Sequence, residues 1–111
     1  MTKIEIFRKN GRIIKYKATG HAEYNEYGSD IVCAALSTTL QFPLAGFQDV
    51  LEIYPRFELS SDGLISVDLD NMDLNGKERE VHTLLESMVV VLIELSKNYP
   101  KNIKLVEKEE F

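Results

Sequence analysis

Asn10-Gly11 constrains this chain more than any other pair of residues. It lies between two runs in which apolar and charged side chains alternate, Lys3 to Lys9 and Arg12 to Thr19. Asn and Gly both accept positive φ, which the two-residue turn matching the twist of paired strands requires. The first nineteen residues are therefore predicted to fold back as an antiparallel hairpin. A lone hairpin is marginal in water, so the rest of the chain must supply further strands or a covering layer.

The remaining sequence supplies both. Gly20 to Gly28 reads as a polar loop. A helix is predicted from about Asp30, with apolar residues at Leu36, Leu40, Leu44, Phe47 and Leu51. Pro43 falls inside that pattern, removes one hydrogen bond and predicts a kink or break near Gln41-Phe42; Pro55 ends the helix. Arg56 to Ser60 and Leu64 to Leu69 read as short strands joined by Ser61-Asp62-Gly63. A second helix is expected from about Lys77 to Asn98, stopped by Pro100, and Ile103 to Val106 suits a last strand. The order is ββαββαβ. It predicts one α+β domain over residues 1–111, a mixed β-sheet with two helices packed on one face. Val81, Leu84, Leu85, Met88, Val89, Leu92, Ile93 and Leu95, with Val90 and Val91 between them, make the second helix's apolar arc wider than one core-facing stripe needs. Such an arc is either buried deep within the monomer or partly covered by another subunit, and it favours a homodimer.

Composition narrows the setting. One cysteine forms no internal disulfide, the charged start MTKIEIFRKNG is unlike a signal peptide, and the longest unbroken apolar run is Met88 to Ile93. A cytoplasmic protein with no membrane partner is expected. The net charge of −5 argues against direct, sequence-independent nucleic-acid binding, which would normally call for a basic face. Much of the acidic excess is local, at Asp62, Asp68, Asp70, Asp73, Glu78 and Glu80. Such a cluster either steers a basic polypeptide or simply keeps the surface solvated.

The segment from Gly20 to Ser37 carries the candidate chemistry. It holds His21 and the only cysteine, Cys33, with Gly28, Ser29 and Asp30 between them. If Asp30 or Ser29 caps the first helix, Cys33 falls in its first turn, where unpaired N–H groups and the macrodipole favour negative charge. Thiols so placed have pKa values lowered to roughly 3.5–7.5 from about 8.5. A histidine approaching from the preceding segment completes a Cys–His pair suited to acyl transfer. Each residue also has a plainer reading: Cys33 as a small buried hydrophobe, His21 as an exposed turn residue, Asp30 as a helix cap. Ser37 lies one turn beyond Cys33 and either joins the site or satisfies its own helix backbone. The run Ala22, Glu23, Tyr24, Asn25, Glu26, Tyr27, Gly28, Ser29 suits a mobile cover that orders over a bound peptide, or an ordinary surface loop. His21, Glu23, Cys33 and His82 lack zinc-type spacing, and neither a phosphate-cradling glycine loop nor a GxSxG elbow is present. No metal or other cofactor is expected.

The joint pattern of GHA at Gly20–Ala22 and YGSDIVCAALS at Tyr27–Ser37 closely resembles the ribosomal-processing cysteine proteases, the Prp family. The resemblance extends over nearly the whole chain. It implies that Cys33 is the nucleophile and His21 the general base, with Gly20, Asp30 and Ser37 supporting the site and a flexible loop from Ala22 to Ser29. It further implies homodimers. The implied substrate is the short N-terminal extension of a large-subunit ribosomal protein (number twenty-seven), removed by a cut after two aromatic residues. Two competing classes remain open on the residues alone. A non-catalytic ribosome-associated peptide-binding module would tolerate loss of the Cys33 thiol, and a redox-sensing thiol would have no need of His21.

Overall fold

The computed structural model describes residues 1–20, 27–61 and 63–110, with 27–30 described by backbone alone. The Asn10-Gly11 turn forms as expected, with φ of 54° and 80° at its two residues. It joins β1 (Thr2–Lys9) to β2 (Arg12–Thr19), antiparallel, with an irregularity after Phe7 that leaves Ile14 opposite no partner. Helix α1 (Tyr27–Ala45) runs directly into a π-helical turn, Gly46–Val50. Next come β3 (Arg56–Leu59), β4 (Ile65–Asp68), α2 (Glu78–Asn98) and β5 (Ile103–Glu109). The ββαββαβ order and the α+β class match the expectation.

The five strands form one sheet in the order β3-β4-β2-β1-β5. All neighbours are antiparallel except β1 and β5, which run parallel in the register Thr2↔Ile103 to Arg8↔Glu109. The sheet is therefore mixed. Period-2 alternation sends Ile4, Ile6, Ile13, Tyr16, Ala18, Ile65 and Val67 to one face, where they are buried. Val32, Leu36, Leu40, Leu44 and Phe47 of α1 and its π turn, and Val81, Leu85, Met88, Val89 and Leu92 of α2, join them in a single core. The stretch Ile31–Val50 is long and apolar enough by composition to cross a membrane, with a mean hydropathy of 1.2. Here its apolar stripe is the core-facing side of a packed helix.

Two expectations about α1 need correction. The helix starts at Tyr27, so Tyr27, Gly28 and Ser29 belong to it and not to a loop, and Asp30 lies within its first turn and not at its cap. The first four N–H groups of a helix have no intrahelical partner in any case, and the dipole favours an acidic residue there. Gly, Ser and Asp are thus admitted in a first turn. The predicted loop residues Ala22, Glu23, Tyr24, Asn25 and Glu26, with His21, lie outside the described residues. Nor does Pro43 break the helix. The chain stays helical through it and takes the wider π form only at Gly46, where Leu51 N–H donates to the Gly46 carbonyl at 3.0 Å. The Tyr16 hydroxyl, on a fully buried side chain, donates to the Leu40 carbonyl at 2.6 Å and ties this stretch to the sheet.

At the hairpin end, Arg8 joins three elements. Its guanidinium donates to both Glu86 carboxylate oxygens at 2.7 and 2.9 Å, to Glu107 Oε1 and to the Gly11 carbonyl. The hydrogen bond from Arg8 holds the Glu86 carboxyl below its ordinary value of 4.5. A carboxylate whose pKa is lowered by folding stabilises the fold above its unfolded pKa, and the contribution is lost as pH falls through the folded value. Glu86→Gln is expected to flatten the acid limb of the stability–pH curve below about pH 4.5, with little change in its slope above pH 6. Urea titrations across pH 3–7 on both proteins check this, and identical acid limbs would contradict it.

Candidate active site

One end of the sheet gathers the segments that carry the expected site. The β2–β4 register, Lys15↔Asp68 and Tyr16↔Val67, brings Gly20 and Gly63 to the same end when continued along the strands. Gly20 closes β2 one residue before His21. Its φ is 93°, and a Cβ there would lie 2.5 Å from the Met1 carbonyl oxygen, a backbone atom that cannot swing aside. Only glycine lets the chain leave β2 in this direction.

Gly63 belongs to the β3–β4 turn, which is held by hydrogen bonds between Ser60 and Leu64 and from Gly63 N–H to the Ser60 carbonyl. This turn lies against α1. Gln41 Nε2 donates to the Gly63 carbonyl at 2.8 Å, and a Cβ on Gly63 would meet Ser37 Oγ at 2.7 Å. Cys33, Ser37 and Gln41 recur every fourth residue and form a half-buried stripe beside the buried Val32–Leu36–Leu40 stripe. Cys33 is half-buried and lies about 6 Å along the helix axis from Ser37, the residue that touches the turn.

The structure thus sets Ser37 and Gln41 against the β3–β4 turn, with Cys33 one helical turn before Ser37, and the β2–β4 register points Gly20 towards the same end of the sheet. Asp30 precedes Cys33 by three positions on the same helix, and His21 lies outside the described residues. The basis for thiol activation changes, however. Cys33 is six residues past the helix start at Tyr27, well inside α1. The macrodipole acts mainly over the first turn, and by then helical N–H groups bond carbonyls four residues back. His82, on α2, lines a separate hollow with Lys9, Arg12 and Glu78, and burial lowers its pKa. Among the described residues no group of three His, Cys, Asp or Glu is arranged to hold a metal ion.

The turn at Gly63 forms where it is expected, but its contact with Ser37 and Gln41 of α1 is not foreseeable from local sequence. The one available signal was a polar residue recurring at four-residue spacing after Cys33 and Ser37 beside the apolar stripe. Gly63→Ala places a Cβ at φ 82° and against Ser37. It is expected to cost about 1–3 kcal/mol and to displace the turn from α1. Thermal unfolding, with hydrogen exchange at residues 60–64, checks this, and an unchanged stability would show the contact to be dispensable.

The family model described as cysteine protease Prp matches residues 1–104. The ribosomal processing cysteine protease Prp of Bacillus subtilis is 27% identical over 104 residues, covering 84% of each chain. Its Staphylococcus aureus counterpart is 29% identical over 95 residues, covering 86% of this chain and 87% of its own length. Among solved structures, SMU.848 from Streptococcus mutans superposes with a TM-score of 0.88 at 25% identity, over 99% of this chain and 96% of its own. The essential ribosomal processing protease Prp from S. aureus, in complex with a substrate peptide, superposes with a TM-score of 0.82 at 26% identity, over 97% of this chain and all of its own. With a family match along nearly its entire length and the same fold, the chain belongs to the cysteine protease Prp family.

Proposed function

We propose that this chain is a cysteine endopeptidase that removes the short N-terminal extension of a large-subunit ribosomal protein, number twenty-seven, cutting after an aromatic pair in the cytoplasm. The observation that carries this reading is the contact of Ser37 and Gln41, on the helix stripe that includes Cys33, with the Gly63 turn, at the sheet end towards which β2 runs before His21. The S. aureus relative has been solved with a covalently linked product peptide, which supports covalent chemistry in this family.

In this mechanism His21 takes the proton from the Cys33 thiol, and the sulfur attacks the scissile carbonyl carbon. The C–N bond then breaks, the leaving amine takes the proton from His21, and the acyl group remains as a thioester on Cys33. Water attacks the thioester, giving its proton to His21. The carboxylate leaves and the thiol is restored. Because Cys33 lies well inside α1, thiolate formation rests on His21 more than on the helix start. For the same reason the N–H groups of the first helical turn, about 5–9 Å away along the axis, are poorly placed as oxyanion donors.

Cys33→Ala is expected to abolish cleavage, and His21→Ala to slow it by about 10²–10⁴-fold, with unchanged melting temperatures. Mass spectrometry of the extended ribosomal protein after incubation with each variant checks both. An intact substrate bound tightly by the wild-type protein would instead make this a peptide-binding module.

We also propose that the active form is a homodimer joined through the outer face of the helix layer. Phe42, Val50, Val90 and Val91 are 62%, 75%, 67% and 46% exposed there, and Phe42, Ala45, Val50 and Leu84 line an apolar groove between α1 and α2. A stable dimer buries about 1,200–2,000 Å² in total, within reach of this face. Val50→Glu combined with Phe42→Glu is expected to yield monomers in sedimentation equilibrium at concentrations where the wild type is dimeric. A wild-type monomer, or a variant dimer, would refute it.

A further inference from the structure

On the sheet face turned away from the helices, the part formed by β2, β1 and β5 is basic, although the chain as a whole is acidic; at its border Asp68 of β4 lies opposite Lys15 and pairs with Arg56. In the observed registers Lys3 lies opposite Lys104, Glu5 between Lys17 and Val106, and Phe7 between Lys15 and Lys108. Five lysines and one glutamate therefore occupy the open face of β2, β1 and β5. Outside that patch remain 8 of the 13 basic and 17 of the 18 acidic residues.

The patch is not balanced internally. Glu5 accepts from Lys108 Nζ at 2.6 Å, which accounts for one lysine. Lys15 Nζ rests 4.4 Å from the centre of the Phe7 ring. The ammonium groups of Lys3, Lys17 and Lys104 donate no hydrogen bond and form no ion pair, and the single carboxylate of Glu5 is shared among the charges of Lys108, Lys3 and Lys17. Lys3 and Lys104 face one another across adjacent strands, and like charges so placed cost stability. A cost of that kind, carried on an open surface, is relieved when an anion binds.

We propose that this face binds single-stranded RNA, a property separate from peptide cleavage. Strand spacing of about 4.8 Å and an i,i+2 repeat of about 6.7 Å set the lysines in a lattice on the scale of successive phosphates. Phe7 is partly exposed, with Lys15 and Lys108 Nζ 4.4 and 5.7 Å from its ring centre, and a base stacks on it by displacing one of these ammoniums onto a phosphate. A second copy of this chain fits the face poorly, because two-fold pairing would oppose lysines with lysines. A lipid surface fits poorly too, since only Phe7 and Val106 are apolar there. The net charge of −5 averages over both sides of the molecule and conceals the segregation.

The test measures fluorescence anisotropy of a labelled twelve-nucleotide oligouridylate with the wild-type protein at 50–200 mM salt. Four phosphate contacts predict a log–log salt slope of about −2.8, close to fifty-fold weaker binding across that range. The K3A/K17A/K104A variant is expected to lose at least about tenfold in affinity while its melting temperature holds or rises. A control with the same change of charge elsewhere, R79A/K97A/K101A, retains binding. Absence of binding at 50 mM salt, equal loss in the control, or equal competition by poly-glutamate would overturn the proposal.

Discussion

The docking of α1 on the sheet is the constraint on which the rest of this molecule depends. A single stripe from Val32 to Phe47 enters the core, with α1 packed against β4, and the buried Tyr16 hydroxyl of β2 grips the Leu40 carbonyl in the same stretch. Because that stripe is buried, the neighbouring stripe of Cys33, Ser37 and Gln41 has to emerge at the edge of the interface. There it meets the β3–β4 turn at Gly63. The thiol is thus neither sealed in the core nor left on the surface. Its half-buried position follows from helix geometry once the apolar side has found its place.

Local signals in the chain were legible, and tertiary ones were not. Asn10-Gly11 produced its turn because a two-residue hairpin is decided by the conformations of those two residues. Helix α2 began within one residue of its expected start because its apolar repeat is long and unbroken. Gly28-Ser29-Asp30 misled because residues that cap helices are equally at home inside a first turn. Pro43 does not break the helix because the loss of one hydrogen bond is outweighed by the burial of Leu40, Leu44 and Phe47 on either side of it. Cys33 and Ser37 could be paired from their spacing. The Gly63 turn could not, since nothing local says which helix it will touch.

The parallel pairing of β1 with β5 and the segregation of charge were illegible for a shared reason. Both depend on residues from opposite ends of the chain sharing a strand register. Lys3 and Lys104 are unremarkable in sequence. They become neighbours only once β5 settles beside β1, and a composition summed along the chain cannot register that event.

That same pairing sets a temporal order. Strand β1 is made well before its second neighbour, β5. Until β5 emerges, β1 has hydrogen-bonding groups open along one side, and Arg8 lacks Glu107 as an acceptor. Closing a loop of this length adds an entropic barrier that grows only with its logarithm, but contacts so distant slow folding as a class. The hairpin and α1 can therefore associate during synthesis, while the sheet stays open at β1 until the final strand arrives to close it.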